Sequence, residues 1–390
     1  MNKEQHPGLY IHVPFCRSKC LYCDFYSVTC LGAIPAWLQA VKSEMLLYKG
    51  RFQVFDSLYL GGGTPTILDE RELAGLLECV HKNFSFCPGS EVSMEANPDS
   101  LDMDKSRSVR AMGVNRISLG VQSFDDEELK YLGRSHNSKQ ALKALDMLRS
   151  CGFADVGADL IYGLETQSLR GWKRTVDRLL DFRPEHISCY QLTFERGAPL
   201  WKMNAAGQVR PIEDKLGSAF FIWTSRHLGK HGYHHYEISN FARSREFMCR
   251  HNRKYWSHAP YLGLGPSAHS FTGCSPSGAR LAERRDHGCG PTAARWWNVK
   301  SVKEYCRLLS EGKAPVESSE VLSEEQLDLE ALYLGFRTSD GADLNAPGGG
   351  LRKGNAVAQM QKAGLAKVKD GRLQPTRKGF LVADSLPLMF

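Results

Sequence analysis

Across its first two hundred residues the chain alternates short β-rich runs with longer helix-like runs, and this pattern restricts its fold more than any other feature. The β-rich runs fall at residues 9–13, 57–60, 91–95, 116–121, 156–161 and 186–192. Helical patterns occupy 35–49, 70–83, 99–112, 139–151 and 169–181. Strands that alternate with helices of this length form βαβ units, so the strands run parallel and the crossovers pack against the sheet. Six units fall short of the eight that close a full barrel, which predicts an α/β fold with a partial, open (β/α)6 TIM-like barrel.

In parallel α/β sheets, ligands sit at the carboxyl ends of the strands. The first run leads into Cys16, the second into Gly61-Gly62-Gly63-Thr64, and the third ends at Glu95. The fourth delivers Gln122, and the fifth carries Asp159 near its end. Motifs far apart in the chain therefore fall at one end of one sheet, as members of a single site must.

The barrel is expected to span residues 1–235. Within it, 220–231 reads as a further helix. Residues 236–320 form a connecting region, rich in aromatic and polar residues up to 271. It carries an insertion at 273–294 with the Gly, Pro and charged composition of a surface loop, including Cys274 and Cys289. A helical pattern returns at 302–312. Residues 321–390 read as helix, loop, helix (354–363) and hairpin (366–373), the outline of a smaller C-terminal winged-helix-like α+β domain.

The net charge of +7 is uneven: residues 351–390 hold eight Lys or Arg against two Asp. A basic winged-helix-like tail is compatible with nucleic acid. A solvated basic face is the plainer reading, and no nucleic-acid partner is expected.

No eighteen-residue apolar run is present, which argues against a membrane-spanning helix. Residues 1–8 are polar and 9–15 are too short and interrupted for a signal sequence, so a cytoplasmic location is expected. Twelve cysteines in 390 residues do not resemble the disulfide framework of a small secreted domain. Most are scattered and read as small buried hydrophobes. A tight cluster in a reducing compartment points instead to metal or redox chemistry.

That cluster is Cys16-Arg-Ser-Lys-Cys20-Leu-Tyr-Cys23. Three thiolates on one loop can hold three irons of a 4Fe–4S cube and leave the fourth iron open for S-adenosylmethionine (SAM). An open coordination position marks a catalytic rather than a structural metal site. The alternative is zinc, completed by Cys30 or His12, although the x3-then-x2 spacing departs from paired zinc motifs.

The glycine run at 61–63 lacks both phosphate-loop signatures and fits better against the amino and methionine end of SAM. Glu95 and Asp159 are strand-end carboxylates able to accept hydrogen bonds from ribose hydroxyls or an amino group. Taken singly, each also reads as a helix cap or an ion-pair partner. Gln122 and Arg134 are undecided in isolation. His251-Asn252-Arg-Lys-Tyr255-Trp256 offers an imidazole able to ligate haem iron, or, more plainly, a hydrogen-bonded core histidine.

Together these segments resemble the oxygen-independent coproporphyrinogen III dehydrogenase-like group of the radical SAM superfamily. The resemblance rests on Leu9-Tyr10-Ile-His-Val-Pro-Phe-Cys16, Gly-Gly-Gly-Thr-Pro-Thr66, Ser93-Met-Glu-Ala-Asn-Pro98 and Arg116-Ile-Ser-Leu-Gly-Val-Gln122-Ser-Phe124. Asp159-Leu-Ile-Tyr-Gly163 and Tyr236-Glu-Ile-Ser-Asn-Phe-Ala242 extend it over nearly the whole chain. Within the group the chain is most similar to the haem-chaperone (HemW-type) branch. Phe25 stands where the dehydrogenases have a fourth cysteine, only fifteen residues precede Cys16, and residues 251–256 match that branch's His-Asn-x-x-Tyr-Trp signature.

The resemblance implies a partial radical SAM barrel with an added C-terminal domain. It implies a 4Fe–4S cluster on Cys16, Cys20 and Cys23, and a SAM pocket of Tyr10, Tyr22, Gly62, Gly63, Thr64, Glu95, Gln122, Arg134 and Asp159. His251 would contact haem. The implied function is haem delivery to acceptor proteins, membrane-associated ones among them, with a flavodoxin- or ferredoxin-type one-electron reductant. SAM cleavage is compatible with this set, and the alternative activity is coproporphyrinogen III oxidation. One departure is Glu165-Thr-Gln167-Ser168, where the family reads Pro-Gly-Gln-Thr.

Overall fold

A computed structural model describes residues 6–52, 54–273, 293–344 and 350–390. Most of the expected insertion, with Cys274 and Cys289, lies outside the described residues.

The centre is six strands laid side by side in chain order, each parallel to the next: β1 (Gly8–Val13), β2 (Val54–Gly62), β3 (Ser85–Ala96), β4 (Arg116–Gln122), β5 (Asp155–Tyr162) and β6 (His186–Gln191). Period-two alternation sorts their side chains. Leu9, Ile11 and Val13 of β1, and Ile117 and Leu119 of β4, enter the main apolar core. The intervening Tyr10 and His12, and Arg116 and Ser118, line a central cavity instead. Barrel interiors of this kind are ordinarily packed with branched apolar residues. A polar interior therefore marks room kept for a ligand.

Further strands continue the sheet at both edges: β7 (His234–His235), β8 (Asn240–Ala242), β9 (Tyr261–Leu264), β10 (His269–Phe271), β11 (Ala293–Asn298) and β12 (Val316–Leu322). β9 runs parallel to β1 and is followed outward by antiparallel β10, β11 and β12. β8 lies antiparallel to β6, with β7 beyond it. The partial (β/α)6 barrel thus sits within a twelve-stranded sheet.

The helices are α1 (Ile34–Tyr48), α2 (Glu70–Asn83), α3 (Met103–Ala111), α4 (Asp126–Tyr131), α5 (Ser138–Ser150), α6 (Leu169–Phe182), α7 (Pro199–Ala205), α8 (Asp214–Lys230), α9 (Arg250–Trp256), α10 (Val302–Ser310), α11 (Glu324–Phe336), α12 (Gly350–Lys362) and α13 (Arg377–Phe380). Local chemistry sets many of their starts. Asp69 with Glu72, and Asn137 with Gln140, form reciprocal capping boxes on α2 and α5. The third helix begins later than its pattern suggests. Pro98 opens a separate short turn, and the Asp102 side chain then caps α3 by accepting from the Lys105 amide.

The C-terminal unit follows the order α11, β13 (Ala342–Asp343), α12, β14 (Ala366–Lys369), β15 (Arg372–Pro375). Its three strands pair as β13-β15-β14, and its core gathers Phe336, Met360, Leu373 and Leu386. No helix among the described residues is long and apolar enough to cross a membrane.

Candidate cofactor site

A cavity of about 1050 Å3 occupies the barrel interior and opens at the carboxyl ends of the strands. Tyr10, Tyr22, Cys23, Gly62, Gly63 and Thr64 line it, as do Glu95, Gln122, Arg134, Asp159 and His251. Cys16 and Cys20 stand at its rim, tied to lining residues by hydrogen bonds. The Thr64 hydroxyl donates to Cys16 Sγ at 3.5 Å, and Arg134 Nη1 donates to Cys20 Sγ at 3.4 Å.

Backbone bonds hold the cysteine loop. The Cys16 amide donates to the Val28 carbonyl at 3.0 Å, and the Val28 amide to the Pro14 carbonyl at 2.7 Å. The Leu21 amide reaches the Leu132 carbonyl, and the Leu200 amide reaches that of Leu21. Burial pushes the Cys16 and Cys23 thiols up, Cys23 to about 11, and each of the two also feels the charge of Cys20. Among the described residues no group of three or more His, Cys, Asp or Glu is placed to hold a metal ion. His12 is already committed, with Nδ1 bonded to the Tyr10 hydroxyl at 3.0 Å and Nε2 to the Tyr26 carbonyl at 2.8 Å. Cys30 is exposed. Three thiols on one pinned loop, beside a cationic guanidinium, suit an iron–sulfur cube, which is built on cysteine ligation.

The glycine run makes the next wall. Gly62 adopts φ +105°, a region glycine enters without penalty, and its amide donates to Glu95 Oε2 at 3.0 Å. A Cβ on Gly63 would lie 2.6 Å from the Phe15 carbonyl oxygen, so only glycine lets this strand end pass the cysteine loop. Tyr59 donates to the other Glu95 oxygen at 2.9 Å. Burial nevertheless pushes the Glu95 carboxyl up to about 7, and Asp159 also rises through burial. Ser118 Oγ lies 3.1 Å from each Asp159 oxygen. Two buried carboxylates in one cavity, of which Asp159 also feels Arg116 and Arg134, suit a ligand that carries a sulfonium and an ammonium group.

Gln122 has φ 63°, in the left-handed region, where β4 shifts register against β5 between Leu119 and Gln122. Such an irregularity re-aims a side chain at a strand end, and Gln122 lines the cavity. Arg134 Nη2 donates to Asn97 Oδ1 at 2.5 Å and to the Gly120 carbonyl at 3.0 Å. Its Nε is buried without a partner. The departing loop is held by Gln167, which accepts from the Gly163 amide at 2.8 Å and donates to Glu128 at 3.0 Å.

His251 lies at the other end of the cavity, beside residues from the earlier parts of β2 and β3. Its Nδ1 bonds Ser57 Oγ at 3.2 Å and its Nε2 bonds the Tyr255 hydroxyl at 2.9 Å. The ring stacks on Tyr59 and Tyr10, with centroids at 5.2 and 6.1 Å. Burial lowers its pKa to about 3, leaving a neutral imidazole. Glu91 anchors its helix by accepting from the Arg250 and His251 amides at 2.8 and 3.1 Å, and Lys254 pairs with Asp56 at 2.6 Å. Ligation of iron by His251 Nε2 requires Tyr255 to turn away.

Several contributors were absent from the sequence-derived site: Tyr59, Asn97, Ser118, Glu91 and Tyr255. Asn97 directly follows Glu95-Ala96 at the end of β3, a position the carboxyl-end rule covers. Tyr59 and Ser118 alternate with buried leucine and isoleucine, so strand periodicity held their signal. Glu91 sits one turn of the pleat before Ser93, and nothing local reveals that it caps a helix 160 residues away.

The radical SAM superfamily model matches residues 10–179. The chain is 34% identical over 386 residues to a Mycobacterium tuberculosis protein named heme chaperone HemW, covering 97% of this chain and 93% of that protein. It is 33% identical over 340 residues to the Bacillus subtilis protein of the same name, covering 85% and 83%. A Bos taurus mitochondrial protein named radical S-adenosyl methionine domain-containing protein 1 is 33% identical over 405 residues, covering 98% and 87%. Among solved structures, the Escherichia coli coproporphyrinogen III oxidase HemN superposes with a TM-score of 0.80 at 22% identity, covering 99% of this chain and 90% of that one. That likeness speaks to fold.

Proposed function

Since the chain belongs to the haem-chaperone branch of the radical SAM superfamily, we propose that it binds haem and passes it to acceptor proteins, with a 4Fe–4S cluster and SAM at the mouth of its barrel. The observation that carries this reading is the near full-length similarity to proteins named heme chaperone. Cys16, Cys20 and Cys23 are assigned to the cluster, which when reduced supplies the single electron that can cleave SAM. Gly62, Gly63 and Thr64 shape the adjoining wall. Glu95 and Asp159 balance the ligand's positive charge, and Arg134 holds the cysteine loop against the β4 end. Tyr10, Tyr22 and Gln122 complete the pocket.

Phe25 is 63% exposed beside the cluster loop, at the position where the dehydrogenases carry another cysteine. This supports the carrier over coproporphyrinogen oxidation. His251 is assigned to haem contact from α9. A one-electron protein reductant and soluble or membrane-bound haem acceptors complete the scheme.

The test is anaerobic reconstitution with iron and sulfide, followed by haemin titration and mixing with an apo-cytochrome. Stoichiometric Soret absorbance that moves to the acceptor, and that weakens in His251→Ala, is the expected result. Failure to bind haemin, or conversion of coproporphyrinogen III to a vinyl porphyrin with dithionite and SAM, overturns the reading.

A further inference from the structure

Helix α9 has two working faces. Helical spacing puts residues 251, 252 and 255 on one side and 253 and 256 on another. His251, Asn252 and Tyr255 line the barrel cavity. Arg253 and Trp256 line a separate cavity of about 810 Å3 between α9 and the C-terminal unit. Its volume falls within the range of small-molecule and cofactor sites.

The chemistry of this second cavity is specific. Leu329 and Leu332 of α11 line it together with Trp256 and Phe390, and the Arg337 guanidinium lies over the Trp256 ring at 5.4 Å. Leu329 remains 54% exposed, and Trp256 Nε1 is buried without a partner. The lining also offers a thioether, Met248, and an imidazole, His234. Neither side chain makes a hydrogen bond among the described residues, and both are haem-iron ligand types. Arg245 lies at the wall with no ion pair among the described residues, and Arg253 is held only at 3.7 Å by Asp340, both half exposed. An exposed pair of this kind exchanges readily for another carboxylate.

We propose that this cavity is a second tetrapyrrole seat, holding the flat ring between Trp256 and α11 with its carboxylates toward Arg245 and Arg253. The inference rests on the haem-handling reading and extends it. Flat aromatic and aliphatic walls, one arginine outside any described ion pair, a second in an exposed pair and two haem-ligand side chains together fit an amphiphilic metalloporphyrin dicarboxylate. The location also answers a requirement of delivery. His251 is only 1% exposed on the inner face of α9, whereas the outer cavity lies against the other face of that helix, where an acceptor can reach it.

Haemin titration of the cluster-loaded full chain, followed in the Soret region, tests the proposal. Two binding classes are expected in the parent protein. His251→Ala removes one and keeps the other. Leu332→Trp, which puts a bulky ring into the outer cavity, does the reverse, with unchanged cluster absorbance and far-ultraviolet dichroism reporting an intact fold. Arg245→Glu, at an exposed position, weakens the outer class by about tenfold. Met248→Ala with His234→Ala changes the axial-ligand signature of the outer class alone in haem EPR. A single class lost in His251→Ala and untouched by Leu332→Trp and Arg245→Glu eliminates the outer seat while the haem-carrier reading stands. Absence of haemin binding in the parent protein eliminates the carrier reading itself.

Discussion

The two ends of the barrel are built on opposite principles. At the carboxyl ends of the strands, groups are kept in costly states. Arg134 Nε is buried and unbonded, Glu95 is pushed to about 7, and Gln122 holds a left-handed backbone angle. At the other end the groups that hold α9 are paired, although Asp155 Oδ1 and His186 Nδ1 at the starts of β5 and β6 are buried without a partner. Glu91 receives two amides of α9, Lys254 meets Asp56, and both His251 nitrogens are engaged. Unsatisfied buried groups cost free energy unless a ligand supplies the missing partner. The mouth is thus prepared to receive something, whereas the floor holds the receiving frame rigid.

This contrast is broken most severely at the mouth. Serine at Cys16, Cys20 or Cys23 removes one of only three thiolates on the loop. Iron and sulfide content after reconstitution is expected to fall nearly to zero, with the far-ultraviolet spectrum unchanged. Retention of a full four-iron complement by any of these variants would show that the cube is held elsewhere. At the floor the largest effect is on stability. Glu91→Ala strips the cap from α9 by removing the acceptor of its first two amides, costing about 1–3 kcal/mol in denaturant unfolding. Cluster loading at the mouth is expected to survive. Loss of both together would mean that the ends are not independent.

The contrast also explains what was legible in the sequence. The cysteine loop, the glycine run and the strand-end carboxylates are local motifs, and the six-unit pattern orders them correctly. Strands β7 to β12 were not anticipated, because they are short and pair with distant partners. β9 lies along β1, some 250 residues earlier, and its Gly263 sits too close to the His269 carbonyl for any side chain. Such pairing follows from tertiary context rather than from propensity. The floor was illegible for the same reason. His251 was found through its motif, but its partners Ser57 and Glu91 look in sequence like ordinary strand residues.

A smaller effect concerns pH at the mouth. Because burial raises the Glu95 carboxyl to about 7, it is protonated and neutral below that value and gains its charge above it. A sulfonium ligand prefers the charged form, so SAM affinity should rise between pH ~6 and ~8 and then level off. Glu95→Gln should bind SAM about tenfold more weakly at the upper end and show no rise through the window. Calorimetric titration at several pH values measures both. A parallel rise in the variant would assign the titration to another group.

The smallest effect sharpens the comparison at the floor. Tyr255→Phe deletes the hydroxyl that occupies His251 Nε2 and leaves the stacking on Tyr10 and Tyr59 in place. One hydrogen bond of this kind is worth about 0.5–1.5 kcal/mol. If His251 ligates iron, removing that competitor should tighten haemin binding about two- to tenfold, since the imidazole no longer has to give up a partner first. If His251 serves only to fix α9, the same variant lowers thermal stability and leaves haemin affinity unchanged. The sign of the change in affinity, read beside the melting temperature, therefore separates a ligand held in reserve from a structural pin.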